Sequence, residues 1–318
     1  MELSGDLNAH SIDAILASSL TPWPAATKLV VDMSRVSMAK PAGACLLVCL
    51  LAHLVEQRRD CVVPVEILRP PRAVSSYLAT LGFFSALKTK ALLVGCDDLF
   101  AEDLRRRARR GQADRARMPG AARDTSVSRV AVFPMQFLPA SPKASRPWEF
   151  DNNCAAFINS LADKFEHLFQ AGHISGISSV KGFWNANLEL FKNVFDHSEG
   201  WGLAAVSASP RLGVTATFHD VGIGIPTAVR RRPLEAREMP SDEAALRWSL
   251  IEGNSSKPGN SGLGLHIVQR FVADANGTME IRSGTCRLRH MPSSPDWQPS
   301  CVPSFVGTHV SLHIPPSH

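Results

Sequence analysis

The chain has 318 residues, 45% of them hydrophobic and 20% charged. That length exceeds one typical domain, and the composition excludes a wholly disordered chain, a collagen and a coiled-coil rod. Lys and Arg number 34 against 29 Asp and Glu, a net charge of +5, which does not by itself call for nucleic acid. None of the seven cysteines forms a C-x-x-C pair, and Cys45 and Cys49 lie one helical turn apart in an apolar run. Core packing and a reducing cytoplasm are therefore expected. Glu2 and Asp6 stand where a secretory signal would be basic and apolar. The most apolar stretch, Ala42 to Val55, has 14 residues interrupted by His53. A spanning helix needs about 20, so a buried helix in a soluble protein without a membrane partner is expected.

In chain order, Lys28 to Met33 reads as a buried strand, and the turn around Lys40-Pro41-Ala42-Gly43 leads into a helix from Ala44 to Gln57. Val62 to Leu68 reads as a further strand, with Pro64 pointing to an edge position. Ala73 to Leu81 reads as a helix closed by Gly82. This alternation implies a partly parallel sheet covered by helices. Then Arg105, Arg106, Arg107, Arg109, Arg110, Arg115 and Arg117 crowd a polar stretch, and Pro134, Pro139, Pro142 and Pro147 follow as in an extended linker. Asp114 and Asp124 dilute that charge and no aromatic residue is interleaved, so a solvated linker is expected and no nucleic-acid partner.

The second globular pattern opens with helices over Cys154 to Gln170 and Phe183 to Asp196. Leu203 to Ala208 and Val214 to His219 read as a hairpin, Asp242 to Ile251 and Leu263 to Asn276 as helices, and Thr278 to Gly284 and Gly307 to Ile314 as closing strands. An α+β sandwich with helices on one face follows. The boundaries are a domain over 1–100, an Arg- and Pro-rich linker over 101–147, and a second domain over 148–318.

Three segments carry candidate chemistry. Glu189 and Asn193, in E-L-F-K-N, stand at i and i+4 and share one helical face. A carboxylate one turn from a carboxamide suits a general base beside an oxygen ligand for Mg²⁺. Asp220, in D-V-G-I-G, ends a strand where its carboxylate can accept from an exocyclic amine, and Gly222 and Gly224 allow close backbone approach to a ring or phosphate. Asn260-Ser261-Gly262-Leu263-Gly264-Leu265 opens a helix whose free N–H groups make a natural anion site. The polar segment between them carries Arg230, Arg231, Arg232 and Lys257 and could close over phosphates.

In this order the three segments resemble the N box and the two glycine boxes of the GHKL superfamily of gyrase, histidine kinase and related ATPases, and Val306 to Ile314 resembles its closing strand. The resemblance covers about 150–315 and implies a Bergerat-type α/β sandwich that binds ATP with Mg²⁺. By resemblance, Asn193 would hold Mg²⁺, Glu189 would polarise the attacking water or hydroxyl, and Asp220 would accept from the adenine amine. Gly222 and Gly224 would shape the adenine pocket, while Gly262 and Gly264, with Leu263, Leu265 and Lys257 beside them, would hold the phosphates. Residues 1–100 resemble STAS domains, through Leu3 to Leu7, Lys28 to Ser34, Ala39 to Gly43 and Leu78 to Phe83. STAS domains that accept phosphate carry serines in the turn where Pro41 and Ala42 stand here, so a docking or dimerisation module is implied. The expected fold class is thus α/β for the first domain and α+β for the second. The expected function is that of an Mg-ATP-binding, protein kinase-like signalling regulator of the anti-sigma or histidine-kinase type. The alternative is an ATP-dependent conformational switch or simple ATPase, and the expected partner is a regulatory protein or a second copy bound through the STAS-like domain.

Overall fold

The structure, a computed structural model, describes residues 1–18, 28–57, 64–68, 70–90, 93–94, 105, 131–138, 177–209, 211–231, 239, 241–256 and 261–316. Two sheets organise them, one of four strands and one of five. The first is built from β1 (Glu2–Leu7), α1 (Ala9–Ser18), β2 (Leu29–Ala39), α2 (Pro41–Glu56), β3 (Val65–Leu68), α3 (Arg72–Leu81), α4 (Phe83–Lys90) and β4 (Leu93–Val94). Its strands run in the order β1-β2-β3-β4 and each neighbouring pair is parallel. Parallel neighbours need crossovers, which α1, α2 and the α3–α4 pair supply.

Two sequence expectations change here. Pro64 does not mark an edge, because β3 pairs with β2 on one side and β4 on the other. It stands just before the strand, where its missing N–H costs no ladder bond and its carbonyl accepts from Leu29 N at 2.9 Å. Lys40 to Gly43 is likewise no separate turn: Lys40 caps α2 and Pro41 opens it. Proline's fixed φ is already helical and its lost donor would have been unpaired at that position. Gly82, at φ 78, closes α3 as expected.

The second sheet contains β5 (Ala131–Leu138), β6 (Gly202–Ser209), β7 (Gly213–Asp220), β8 (Thr278–Met291) and β9 (Ser294–Ile314), in the order β5-β6-β7-β9-β8. Its pairings are antiparallel. The linker expected over 101–147 does not extend to β5, whose ladder with β6 is broken between Phe133 and Gln136, around Pro134. An edge strand with an irregularity is where a sheet tolerates proline. The helices are α5 (Ile177–His197), α6 (Ile225–Arg230), α7 (Asp242–Ser249) and α8 (Gly264–Asp274). α5 and α8 pack together, and Gly182 lets the Phe271 ring approach the α5 backbone. The helix expected over Cys154 to Gln170 lies outside the described residues.

α2 is buried along nearly its whole length, from Ala44 to Ala52, because it is covered on more than one side. Its residues share one core with Val31, Met33 and Val65 of the first sheet and with Leu203, Ala205 and Phe305 of the second. α2 packs on β6 and β7, and α3 and α4 reach β5. The N-terminal helices therefore cover one face of the second sheet, while α5 and α8 share a second core on its other side with Val206, Phe218 and Leu312. The joint also holds charge. Asp13 of α1 ion-pairs with Arg282 at 2.9 Å and with Arg287, all three being largely buried. Trp201 Nε1 donates to Glu56 Oε1 at 3.2 Å. No described helix is long and apolar enough to cross a membrane.

Candidate functional site

α5 carries Glu189 and Asn193 one turn apart, and the start of α8 meets them. A Cβ built on Gly264 would stand 3.1 Å from Glu189 Oε2 and 3.4 Å from Asn193 Oδ1. A glycine at this position leaves room for both side chains beside the first turn of α8. Lys192 Nζ holds Glu189 Oε1 at 3.0 Å in a partly exposed ion pair. Leu263, the residue before α8, supplies no side-chain cap. The first N–H groups of the helix therefore keep the partial positive charge that attracts anions. Gly262 has φ 67, and a side chain there would strike the backbone of Gly253 and Asn254. Its carbonyl accepts from Gly253 N at 3.2 Å, so the approach to α8 is tied to the loop after α7. Leu265 packs against the core beneath α5 and α8. Lys257 lies outside the described residues.

Asp220 ends β7 and is only 6% exposed. Burial pushes its carboxyl up to about 7, against the opposing pull of backbone hydrogen bonds from Gly222 and Thr308. The Gly222 N–H donates to Oδ1 at 2.9 Å. Gly222 leaves no space for a side chain because the Ser198 carbonyl lies against it, and Ile223 N donates to that carbonyl at 2.9 Å. Ser198 directly follows α5, so the helix bearing Glu189 and Asn193 is fastened at its C-terminal end to the Asp220 loop. Gly224, at φ 73, adopts the left-handed backbone that lets α6 begin at Ile225.

Three residues that sequence reasoning assigned no role complete this loop's support. Ser283 Oγ accepts from Ile225 N at 3.0 Å and donates to Gly307 O at 2.8 Å. Gly307, at φ 80, lies directly against Asp220. Thr308 supplies the second backbone donor to the carboxyl. The sequence marks Val306 to Ile314 only as a closing strand, and the Gly307-Thr308 pair within it is the available signal. On the opposite side of β7, His219 stacks on Phe305 with centroids 5.1 Å apart and stands 5.7 Å from His309. Burial holds both imidazoles below their ordinary range, His309 at about 3. Gly222 to Gly224 also line a cavity of about 610 Å³ whose other wall includes Leu50, His53 and Leu54 of α2.

Residues 182–318 match the family described as histidine kinase-, DNA gyrase B- and HSP90-like ATPase. This part of the chain is a GHKL ATPase domain. The match begins inside α5 and takes in Glu189, Asn193, Asp220 and the Gly262–Gly264 segment. Domains of this family bind ATP, usually with Mg²⁺. No curated protein matches the chain. The matched stretch contains both the Glu189–Asn193–Gly264 cluster and the Asp220 loop.

Proposed function

We propose that the GHKL domain binds Mg-ATP and that the chain acts as a protein kinase-like signalling regulator of the anti-sigma or histidine-kinase type. The observation that carries this reading is Gly264, seated against Glu189 and Asn193 at the uncapped start of α8. Asp220, with Gly222 and Gly224 beside it, accepts the adenine amine. A carboxylate has acceptor capacity beyond the two backbone bonds from Gly222 and Thr308, which leaves it able to take the amine's proton donor. Gly262 and Gly264 leave the N–H groups around Leu263 and Leu265 open to phosphate oxygens. Lys257, in the segment before α8, adds positive charge to the same phosphates. The Asn193 carboxamide oxygen holds Mg²⁺, which neutralises phosphate charge when bound. Glu189 accepts the proton of the attacking hydroxyl or water, and Lys192 keeps its carboxylate oriented through their ion pair.

The N-terminal unit is read as a STAS-like docking module for a regulatory protein or a second copy. Pro41 and Ala42 stand in the first turn of α2 and carry no hydroxyl, which supports docking over acceptance of phosphate. A switch without turnover is the second reading, favoured by the packing of α2 behind the strands that end in the Asp220 loop. Incubation with γ-labelled ATP separates the readings. Label on protein that is lost in Glu189→Ala supports the kinase, free phosphate alone supports an ATPase, and neither product with retained binding supports the switch.

A further inference from the structure

Beyond the nucleotide site, the long β8–β9 hairpin brings two thiols together. Cys286 and Cys301 are direct partners in its antiparallel ladder and both are free. Directly opposed residues point to the same face, with Cα atoms about 4.5 or 5.5 Å apart according to the bonding of the pair. A disulfide spans Cα separations of about 4.4–6.8 Å, so either arrangement accommodates one. Along β8, Cys286, Leu288 and His290 alternate as buried positions, whereas Cys301 opposite Cys286 on β9 is exposed. Farther along the hairpin, His290 and Trp297 bring their rings to 5.5 Å across the strands. The ladder runs unbroken from Cys286 to Arg289, between irregularities on either side, which fixes the register of the cysteine pair.

We propose that Cys286 and Cys301 are a reversible disulfide site for small-molecule disulfides. Cys301 is exposed and Cys286 is covered, so the reaction starts at Cys301. Its thiolate attacks one sulfur of the small disulfide, forming a mixed disulfide and releasing one small thiol. The Cys286 thiolate then attacks the Cys301 sulfur and expels the second small thiol. Two protein thiols are oxidised and lose two protons, and one small disulfide is reduced to two thiols. Burial pushes the Cys286 thiol up to about 11, which keeps it from attacking first and leaves it the resolving role at close range. The bond would close the stem of the hairpin above Phe305 and Gly307, which lie against His219 and Asp220.

The test treats the full chain with oxidised glutathione at mildly alkaline pH, followed by acid quench, digestion and mass spectrometry. The expected product links the Cys286 and Cys301 peptides, is lighter by two hydrogens, and disappears on treatment with dithiothreitol. In Cys286→Ser, glutathione should remain on Cys301, and in Cys301→Ser position 286 should stay unmodified. Since Cys301 is exposed, its serine variant keeps the fold and controls for nonspecific oxidation. A wild-type chain that retains glutathione on Cys301 without forming the crosslink, or that pairs Cys301 with another cysteine, would overturn the proposal.

Discussion

Replacing Asp13 by Ala tests how the N-terminal unit is held against the GHKL domain. The residue comes from α1, yet its carboxylate lies against Arg282 and Arg287 of β8, with Arg282 2% exposed. Burial lowers Arg282 to about 10, so it remains charged at neutral pH. Arg287 keeps a second carboxylate, Glu280, at 3.4 Å. Arg282 keeps the Pro303 carbonyl, to which its Nη2 donates at 2.8 Å, and loses its carboxylate contact. Removing one partner of a buried pair leaves an uncompensated charge and costs about 3–5 kcal/mol. Urea unfolding followed by circular dichroism at pH 7 should show a loss of this size. Asp13→Leu combined with Arg282→Met should recover a large part of it, because both charges are then gone. A single-variant loss below about 1 kcal/mol would refute the view that this ion cluster holds the two sheets' joint.

Further expectations concern the proposed nucleotide site. Asp220 has a folded value of about 7 against 3.8, so its contribution to stability is complete below 3.8 and is lost as pH rises through about 7, a change of about 4 kcal/mol. His219 and His309, lowered by burial, act in the opposite direction, so the readout is the difference between wild type and Asp220→Asn in urea melts from pH 4 to 8. That difference should grow in favour of the variant with pH, and parallel profiles would refute it. Gly264→Ala puts a Cβ 3.1 Å from Glu189 Oε2 and should cut product formation from ATP at least tenfold while unfolding shifts by less than about 0.5 kcal/mol. Asn193→Ala should weaken nucleotide binding mainly when Mg²⁺ is present, and an equal loss in EDTA would make Asn193 purely structural.

Much of the site was legible because its logic is local. The i, i+4 spacing of Glu189 and Asn193, the Asp-x-Gly-x-Gly loop and the glycines before α8 each encode a backbone shape within a few residues. The supports of the loop were not legible, because Ser283 and Gly307 reach it across the sheet. Helix boundaries suffered from single residues whose role depends on context: Pro41 was read as part of a turn and opens a helix. The hairpin stem from Thr285 to Val306 was missed because its prolines and polar residues break the alternation expected of strands. The apolar character of α2 was correctly read as burial, but not its second contact. No local signal says that the sheet of a distant segment covers a helix.

The central claim is that the GHKL domain holds ATP through Asp220, and calorimetric titration of Mg-ATP into wild type and Asp220→Ala tests it most directly. A lost hydrogen bond in a buried pocket costs about 1–3 kcal/mol, so the variant should bind at least about fivefold more weakly while its circular dichroism spectrum is unchanged. Equal affinity in the two proteins, or no heat of binding in the wild type, would contradict the account.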